Sequence, residues 1–246
     1  MAWGVAGRSG VLAWGIILAS TLLSSAVNAD PALHERPPLS AVMFGSLDAG
    51  AGKIYGAFGM KFAIGGDGLD ASGFRLSLVS GASTEPARRR PAQGSLYKSD
   101  VGALLGYEWR IHDSFVAVSV GPDLETSYLR WRDWHGIGQR VGPRIQLDVW
   151  AAPDKNSLIQ VNAYAVAAGS GRSGARVAAG WKITQRLYLG PEVELYRERD
   201  YFKVRLGMHL TGMELFGIIW RLSAGAQKSR DDKSEIYATL GFHWKR

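Results

Sequence analysis

From Ser40 onward the sequence alternates between apolar and polar residues, in segments of about ten residues or longer. Alternation with a period of two is typical of β-strands whose two faces meet different surroundings. In the segment from Lys53, for example, Ile54, Phe58 and Phe62 share one face. Helical periodicity is almost absent from this part of the chain. The sequence therefore predicts an all-β fold.

The segment length distinguishes a membrane barrel from a soluble sandwich. Strands of soluble sandwiches usually have about five or six residues, whereas about ten tilted residues cross a bilayer. A membrane barrel directs its apolar side chains to lipid and its polar ones to the lumen. We therefore expect the polar faces to line the lumen: Asp100, Glu108, Arg110, Arg144, Gln146, Asp148, Gln160, Asn162, Arg176, Lys182, Arg186, Glu192, Glu194, Lys203, Arg205, His209, Arg221, Glu235 and His243.

The alternation predicts an antiparallel transmembrane β-barrel of about twelve strands, with ten or fourteen as the nearest alternatives. The predicted strands are 41–47, 53–64, 72–81, 98–110, 115–129, 140–150, 158–168, 175–183, 186–196, 200–210, 214–226 and 234–244. The long connections 82–97, 130–139 and 227–233 all fall at one end. Short periplasmic turns and longer outer loops are typical of bacterial outer-membrane barrels, so we expect both chain ends in the periplasm.

Aromatic residues near the predicted strand ends fit the girdles that outer-membrane barrels place at the two membrane interfaces. These residues are Trp109, Tyr128, Trp131, Trp150, Trp181 and Trp244.

The first 29 residues have the pattern of a secretory signal peptide. An apolar run from Val11 to Leu23 precedes the small residues Val27 and Ala29, so we expect cleavage before Asp30. Residues 30–40, with three prolines, are predicted to form a periplasmic lead-in, and residues 41–246 the barrel. With 21% charged residues and a mean hydropathy of −0.06, the chain does not fit a polytopic helical membrane protein.

Charge and cysteine content exclude further classes. The net charge of +7 is not accompanied by a basic helix or a nucleic-acid-binding motif, so we expect no nucleic-acid partner. The chain contains no cysteine, which excludes disulfides, a thiolate nucleophile and cysteine-ligated metals.

The sequence predicts no catalytic, cofactor-binding or metal-binding residues. Residues 169–174 match the dinucleotide pattern G-x-G-x-x-G, but an alternating segment follows instead of the helix that the motif requires. His209 and Ser223 lie on adjacent predicted strands. A turn at residues 211–213 would place Ser223 opposite Tyr201, about 25 Å from His209, which is too far for a catalytic dyad. His243 would have only Ser40 and Ser46 as neighbours on the first strand.

Two groups of residues are candidates for binding. Tyr128, Trp131 and Trp134 lie near the predicted mouth, where aromatic rings stack on sugars, although girdle residues have the same pattern. Arg88, Arg89 and Arg90 lie in the longest outer loop, where they suit lipopolysaccharide phosphates or simple solvation. The mixed charges of the lumen favour an interior that pairs its own ions over a polar path for a small solute or a sugar chain.

Four stretches, taken in order along nearly the whole mature chain, resemble the BcsS family of proteins associated with bacterial cellulose biosynthesis. They are Gly65–Asp70 leading into Gly73–Leu76, Gly102–Trp109 followed by Val120–Pro122, Leu189–Glu192, and Arg205–His209 followed by Leu222–Gly225.

The resemblance implies a non-enzymatic accessory of the outer membrane that helps to secrete, anchor or organise the glucan. Its implied partners are cellulose or the cellulose-export machinery, beside outer-membrane lipid and lipopolysaccharide. A general small-solute porin is the main alternative, and a lipid-modifying outer-membrane enzyme is the third.

Overall fold

The computed structural model describes residues 39–50, 53–65, 67–86, 94–130, 134–168, 171–198, 201–229 and 234–245, which contain twelve β-strands. Each strand pairs antiparallel with its neighbours in the chain, and β1 pairs with β12 to close the barrel. The strands are β1 Ala41–Gly50, β2 Lys53–Ile64, β3 Gly73–Pro86, β4 Ser95–Ile111, β5 Ser114–Arg130, β6 Trp134–Ala151, β7 Ser157–Val166, β8 Arg172–Lys182, β9 Tyr188–Glu198, β10 Tyr201–Leu215, β11 Ile218–Ser229 and β12 Glu235–Lys245.

The predicted fold class and strand number are therefore confirmed. The predicted signal peptide and most of the lead-in lie outside the described residues. Within the described part of the chain, no helix is long and apolar enough to cross a membrane.

The two faces of the barrel carry opposite kinds of side chain. Apolar residues on the outer face are exposed, as at Leu206, which is 60% exposed. Charged residues on the inner face are buried, as at Glu108 and Asp123, each 1% exposed. This is the reverse of a soluble protein and agrees with the face assignment predicted from the alternation.

Strands β3 to β6 are longer than the sequence pattern predicts. We call the end of the barrel where β1 begins and β12 finishes the terminal end, and the opposite end the distal end. At the distal end the predicted loops 82–97 and 130–139 shorten to residues 87–94 and 131–133, because β3, β4, β5 and β6 continue to pair there. The sequence predicted long loops at the distal end and short turns at the terminal end, and this prediction is wrong. The strands extend because pairing between them satisfies backbone N–H and C=O groups that a loop would leave to water.

Strand β10 also runs further than predicted, to Leu215, and pairs with β11 across a turn at Phe216 and Gly217. Both turn residues have positive φ, 57° and 72°, as in the two-residue turns that match the twist of a hairpin. The predicted turn at residues 211–213 is instead a bulge, in which Gly212 has a φ of 100°.

The predicted position of Arg186 needs a correction. Strand β9 begins at Tyr188, so Arg186 lies in the connection between β8 and β9 rather than on an inner face. Its exposed guanidinium pairs with Glu214 at the terminal end. Sequence alternation alone missed this because the strand starts two residues later than predicted.

Candidate functional site

The barrel interior at the distal end is crossed by an ion-pair cluster centred on Arg172. This residue begins β8, and its guanidinium reaches Asp100 on β4 at 3.3 Å, Asp123 on β5 at 2.6 Å and Glu125 on β5 at 3.3 Å. Arg144 on β6 adds a contact of 3.3 Å to Asp123. Because β4 and β8 are four strands apart in the ring, these contacts span the interior.

A second crossing at the same end joins β4 to β9. Lys98 Nζ lies 2.7 Å from Glu198 Oε1, and the Tyr196 hydroxyl donates a hydrogen bond of 2.8 Å to the other carboxylate oxygen. Lys53 on β2 lies 5.9 Å from the centre of the Tyr196 ring, a cation–π distance. Side chains from β2, β4 and β9 therefore contact one another inside the barrel at its distal end.

The middle of the interior holds two further ion pairs. Arg205 on β10 donates to both carboxylate oxygens of Asp48 on β1, three strands away, and to Gln227 at 2.9 Å. Arg221 pairs with Glu192, which also accepts a hydrogen bond of 2.9 Å from the Tyr237 hydroxyl. These charges are buried in pairs, as the cost of burying an isolated charge requires.

At the terminal end, Glu108 collects three cations. Lys61 lies 3.2 Å, Arg75 3.5 Å and Arg110 3.4 Å from its carboxylate oxygens. Both Lys61 and Arg110 also lie at cation–π distance from the ring centre of Phe115, at 5.0 Å and 5.5 Å. The carboxylate thus joins β2, β3 and β4 at the inner surface.

Trp150 lies inside the barrel, which corrects its predicted place in an interfacial girdle. Its ring centre is 6.4 Å from that of His243 on β12, six strands away and therefore on the opposite wall. On β6 it shares a face with Arg144, Gln146 and Asp148, so its parity places it in the interior. Its position at a strand end misled the sequence interpretation.

Three tyrosines approach glycines on other strands, which the sequence interpretation did not identify: Tyr55 and Tyr164 on an adjacent strand, and Tyr237 across β11. A Cβ added to Gly207 would collide with the Tyr237 hydroxyl, one at Gly174 would lie 2.6 Å from the Tyr164 ring, and one at Gly81 2.5 Å from the Tyr55 hydroxyl. Glycine within a strand often marks such a close approach, and that is the signal by which the sites could have been found.

A small pocket, open to solvent, lies at the distal end of the interior. It is lined by Asp123, Glu125, Arg140, Val166, Ala168, Gly171, Arg172 and Glu198. Five of these eight residues carry a charged side chain, so the pocket belongs to the same polar interior as the ion-pair cluster.

The structure overturns the predicted separation of His209 and Ser223. The two residues lie directly opposite each other on β10 and β11, because the turn is at Phe216 and Gly217. Both are buried in the interior. However, His209 Nδ1 lies 2.9 Å from Thr211 Oγ1 and Nε2 lies 3.2 Å from the Ala179 carbonyl oxygen. Both ring nitrogens are therefore engaged by groups other than the Ser223 hydroxyl.

The predicted neighbours of His243 also need correction. Its partners across the ladders are Phe44 on β1 and Ile219 on β11, rather than Ser40 or Ser46. Within the described ranges, no group of three His, Asp or Glu side chains is arranged to hold a metal ion.

The structure brings two of the predicted mouth aromatics together and adds a third. The ring centre of Trp134 is 4.8 Å from that of Tyr97 and 6.4 Å from that of Tyr128, and Arg130 stacks over Trp134 at 5.6 Å. This distal aromatic cluster (Tyr97, Tyr128 and Trp134) lies on the outer face of β4, β5 and β6. Trp131, Arg88, Arg89 and Arg90 lie outside the described residues.

The barrel is similar to solved outer-membrane channels. An outer membrane channel from Pseudomonas putida F1 matches with a TM-score of 0.59 and 10% identity, over 89% of this chain and 100% of that one. A deletion mutant of the TodX monoaromatic hydrocarbon channel matches with a TM-score of 0.53 and 6% identity, over 86% of this chain and 91% of that one. At such identities the similarity shows the fold alone, which is that of outer-membrane barrels.

The sequence comparisons identify the family. None of the curated proteins matches the chain. The sequence profile described as "Cellulose biosynthesis protein BcsS" matches residues 42–246, which is the whole barrel apart from its first residue. The chain therefore belongs to the BcsS family of cellulose biosynthesis proteins.

Proposed function

We propose that this protein is a non-enzymatic accessory of the outer membrane that helps to secrete, anchor or organise cellulose at the cell surface. Membership of the BcsS family supports a role in cellulose biosynthesis, and the barrel fold supports a place in the outer membrane. In this proposal the signal peptide exports the chain, and the barrel inserts with its apolar outer face in lipid. Cellulose itself or the export machinery is the partner.

The observation that carries the accessory role is the set of ion pairs across the interior. Arg172 with its three carboxylates and Lys98 with Glu198 occupy the distal end, and Trp150 with His243 occupies the terminal end. A general porin needs a water-filled path between these walls. The crossings favour a barrel that works through its rims and outer face over one that conducts solutes.

The distal aromatic cluster is the proposed contact with the glucan. Aromatic faces pack against the C–H faces of sugar rings, and Tyr128 and Trp134 lie side by side near the distal end, with Trp131 between them in sequence. Arg88, Arg89 and Arg90 are proposed to contact lipopolysaccharide phosphates, because guanidinium groups bind phosphate in a bidentate manner.

The alternative that the protein is a lipid-modifying enzyme would need a catalytic pair such as His209 and Ser223. The ring nitrogens of His209 contact Thr211 and Ala179, and both His209 and Ser223 are buried inside the barrel, away from the lipid-facing surface. These contacts favour a structural role for the pair. Ser223→Ala and His209→Gln should therefore leave lipid A and phospholipid composition unchanged, as measured by mass spectrometry of membrane extracts.

The deciding experiment is a deletion in the native organism with complementation by variants. We expect extracellular cellulose to fall while uptake of small solutes and antibiotic permeability stay normal. Altered permeability with normal cellulose would favour the porin, and altered lipid with normal cellulose would favour the enzyme.

The glucan contact has its own matched test. Trp134→Ala should weaken retention of the purified barrel on cellulose, because it removes the centre of the distal aromatic cluster. Trp181→Ala is the control, since Trp181 is also exposed on the outer face, at 58% against 49% for Trp134, but lies near the terminal end. If both variants and the wild type were retained equally on cellulose, the distal aromatic cluster would not be the glucan contact.

A further inference from the structure

Strand β6 continues past its neighbour β7, which leaves one edge of the sheet unpaired. The ladder between β6 and β7 runs from Arg144 to Ala151, whereas β6 pairs with β5 along its length to Trp134. Within the described residues, the segment Trp134–Gly142 therefore pairs on one side only. We call its other side the β6 edge.

The direction of the backbone groups at this edge follows from one hydrogen bond. The Ala167 amide donates to the Pro143 carbonyl oxygen at 2.9 Å, so the Pro143 carbonyl points away from β5. Residues two apart in a strand present their N–H and C=O groups to the same side. Gln139 and Val141 therefore direct their backbone N–H and C=O groups to the β6 edge, while Arg140 directs its own toward β5.

The β6 edge is only partly protected against association. Edge strands of soluble proteins commonly carry lysine, proline, β-bulges or inward-pointing charges. The β6 edge has one inward-pointing charge, Arg140, and a register shift against β5 beside Ile137, but no lysine, and no proline before Pro143. Here Ile137 and Val141 are exposed, at 56% and 68%, and His135 and Arg140 are the only ionisable residues between Trp134 and Gly142. Pro143, which has no N–H to donate, marks the point where pairing with β7 begins.

The β6 edge extends beyond the membrane-spanning part of the barrel. About nine to eleven tilted residues suffice for a transmembrane strand, and β6 has 18. Pairing with β7 accounts for the terminal part of β6, so most of Trp134–Gly142 lies on the distal side of the bilayer, in water. A water-soluble segment can therefore reach it.

Symmetry argues against a second copy of this chain at the β6 edge. Two barrels in the same membrane orientation are related by an axis along the membrane normal, and barrel strands tilt about 35–45° from that axis. The two-fold rotation reverses the tilt, so the two β6 strands would cross at a large angle. They could not pair along the β6 edge.

We propose that the β6 edge binds an extended segment of a partner polypeptide by strand addition. Another strand is the ligand that offers N–H and C=O groups at the spacing presented by Gln139 and Val141. The segment should alternate, with β-branched apolar side chains beside Val141 and polar side chains toward Arg140 and the distal pocket. This proposal goes beyond the glucan role and does not depend on it.

The test uses photo-crosslinking in intact cells of the native organism. A benzophenone amino acid replaces Val141, and in a separate strain Ile236, which is exposed at the distal end of β12 on the opposite side of the ring. We expect an adduct at Val141 that is absent at Ile236 and that mass spectrometry identifies as one peptide segment of another protein. An adduct removed by cellulase, an adduct with a second copy of the barrel, or no adduct overturns the proposal.

A second variant separates strand addition from a side-chain contact. Gln139→Pro removes the N–H that faces the β6 edge and leaves the bonds to β5 in place, whereas Gln139→Ser changes only the side chain. We expect the Val141 adduct to fall several-fold with Gln139→Pro and to persist with Gln139→Ser. Each variant is first checked for folding by its heat-dependent migration on gels. If Gln139→Pro does not fold, the crosslinker is moved to Ile137 and Val141→Pro takes its place, because the Val141 N–H faces the same edge. An adduct that survives the proline overturns strand addition.

Discussion

Lys98 on β4 and Glu198 on β9 lie five strands apart in the ring, yet Lys98 Nζ is 2.7 Å from Glu198 Oε1. The pair connects walls of the barrel that share no backbone hydrogen bonds with each other. Both side chains are mostly withdrawn from water, so their interaction is less screened than that of a surface pair. The barrel is thus braced across its interior as well as around its circumference.

This bracing predicts strong coupling between the two residues. Lys98→Met or Glu198→Gln alone should each lower the free energy of unfolding by about 1.5–3 kcal/mol, because each leaves a charged hydrogen-bonding partner unsatisfied. The double variant should cost clearly less than the sum of the two. The free energies of unfolding of the wild type, the two single variants and the double variant are measured by urea titration of the barrel refolded in lipid vesicles.

The control for this cycle is the exposed pair Arg186 and Glu214 at the terminal end. Their coupling should be below about 1 kcal/mol, as is usual for solvent-exposed pairs. Equal coupling in the two cycles would contradict the idea that the interior is poorly hydrated.

Ion conductance should depend on the same crossings. In planar bilayers the wild-type barrel should conduct little, and combining Lys98→Ala with Arg172→Ala should raise the conductance several-fold, because both remove side chains that span the distal interior. Arg186→Ala, which lies outside the interior, is the control. A large and stable wild-type conductance would instead support a porin.

Close packing around Gly207 predicts a difference between two inner-face glycines. Gly207→Ala should destabilise the barrel by about 1–3 kcal/mol, because its Cβ would collide with the Tyr237 hydroxyl and the Ala224 carbonyl oxygen. Gly241→Ala should be neutral or stabilising, since its Cβ would have its nearest neighbours at 3.7 Å. Thermal unfolding of the two variants can be followed by gel migration. A similar loss of stability in both would contradict the close packing of Tyr237 against Gly207.

The two faces of β12 predict opposite tolerance to a charge. Leu240 lies mid-strand on the outer face, so Leu240→Arg should cost about 2–4 kcal/mol in a bilayer. Thr239 is on the inner face opposite Asp48, whose carboxylate offers an arginine a counter-charge that lipid does not, so Thr239→Arg should be the milder change. Refolding titrations in vesicles decide the order. If Thr239→Arg were worse, the assignment of lipid and interior faces would be wrong.

Processing of the chain gives a prediction outside the barrel. The run from Val11 to Leu23 followed by Val27 and Ala29 predicts a mature N-terminus at Asp30. N-terminal sequencing of the protein from the outer-membrane fraction should begin there. Recovery of Met1, or of the protein in the cytoplasm, would contradict export by a cleaved signal peptide.

The sequence by itself determined the fold class, the strand number and the face of almost every strand residue. A period of two forces residues such as Leu206 and Arg205 to opposite sides of the sheet, whatever the register. The predicted pattern therefore located Glu108, Arg205 and Glu192 inside without any knowledge of their partners.

Only the tertiary structure decided which residues meet. Cross-strand partners depend on where each turn falls, and moving one turn from residues 211–213 to Phe216 and Gly217 brought Ser223 opposite His209. Contacts across the interior, such as Lys98 with Glu198, depend on the curvature and closure of the whole sheet. Alternation is a local property of the chain, whereas register and closure arise from pairings between distant segments, and for that reason the sequence pattern could not supply them.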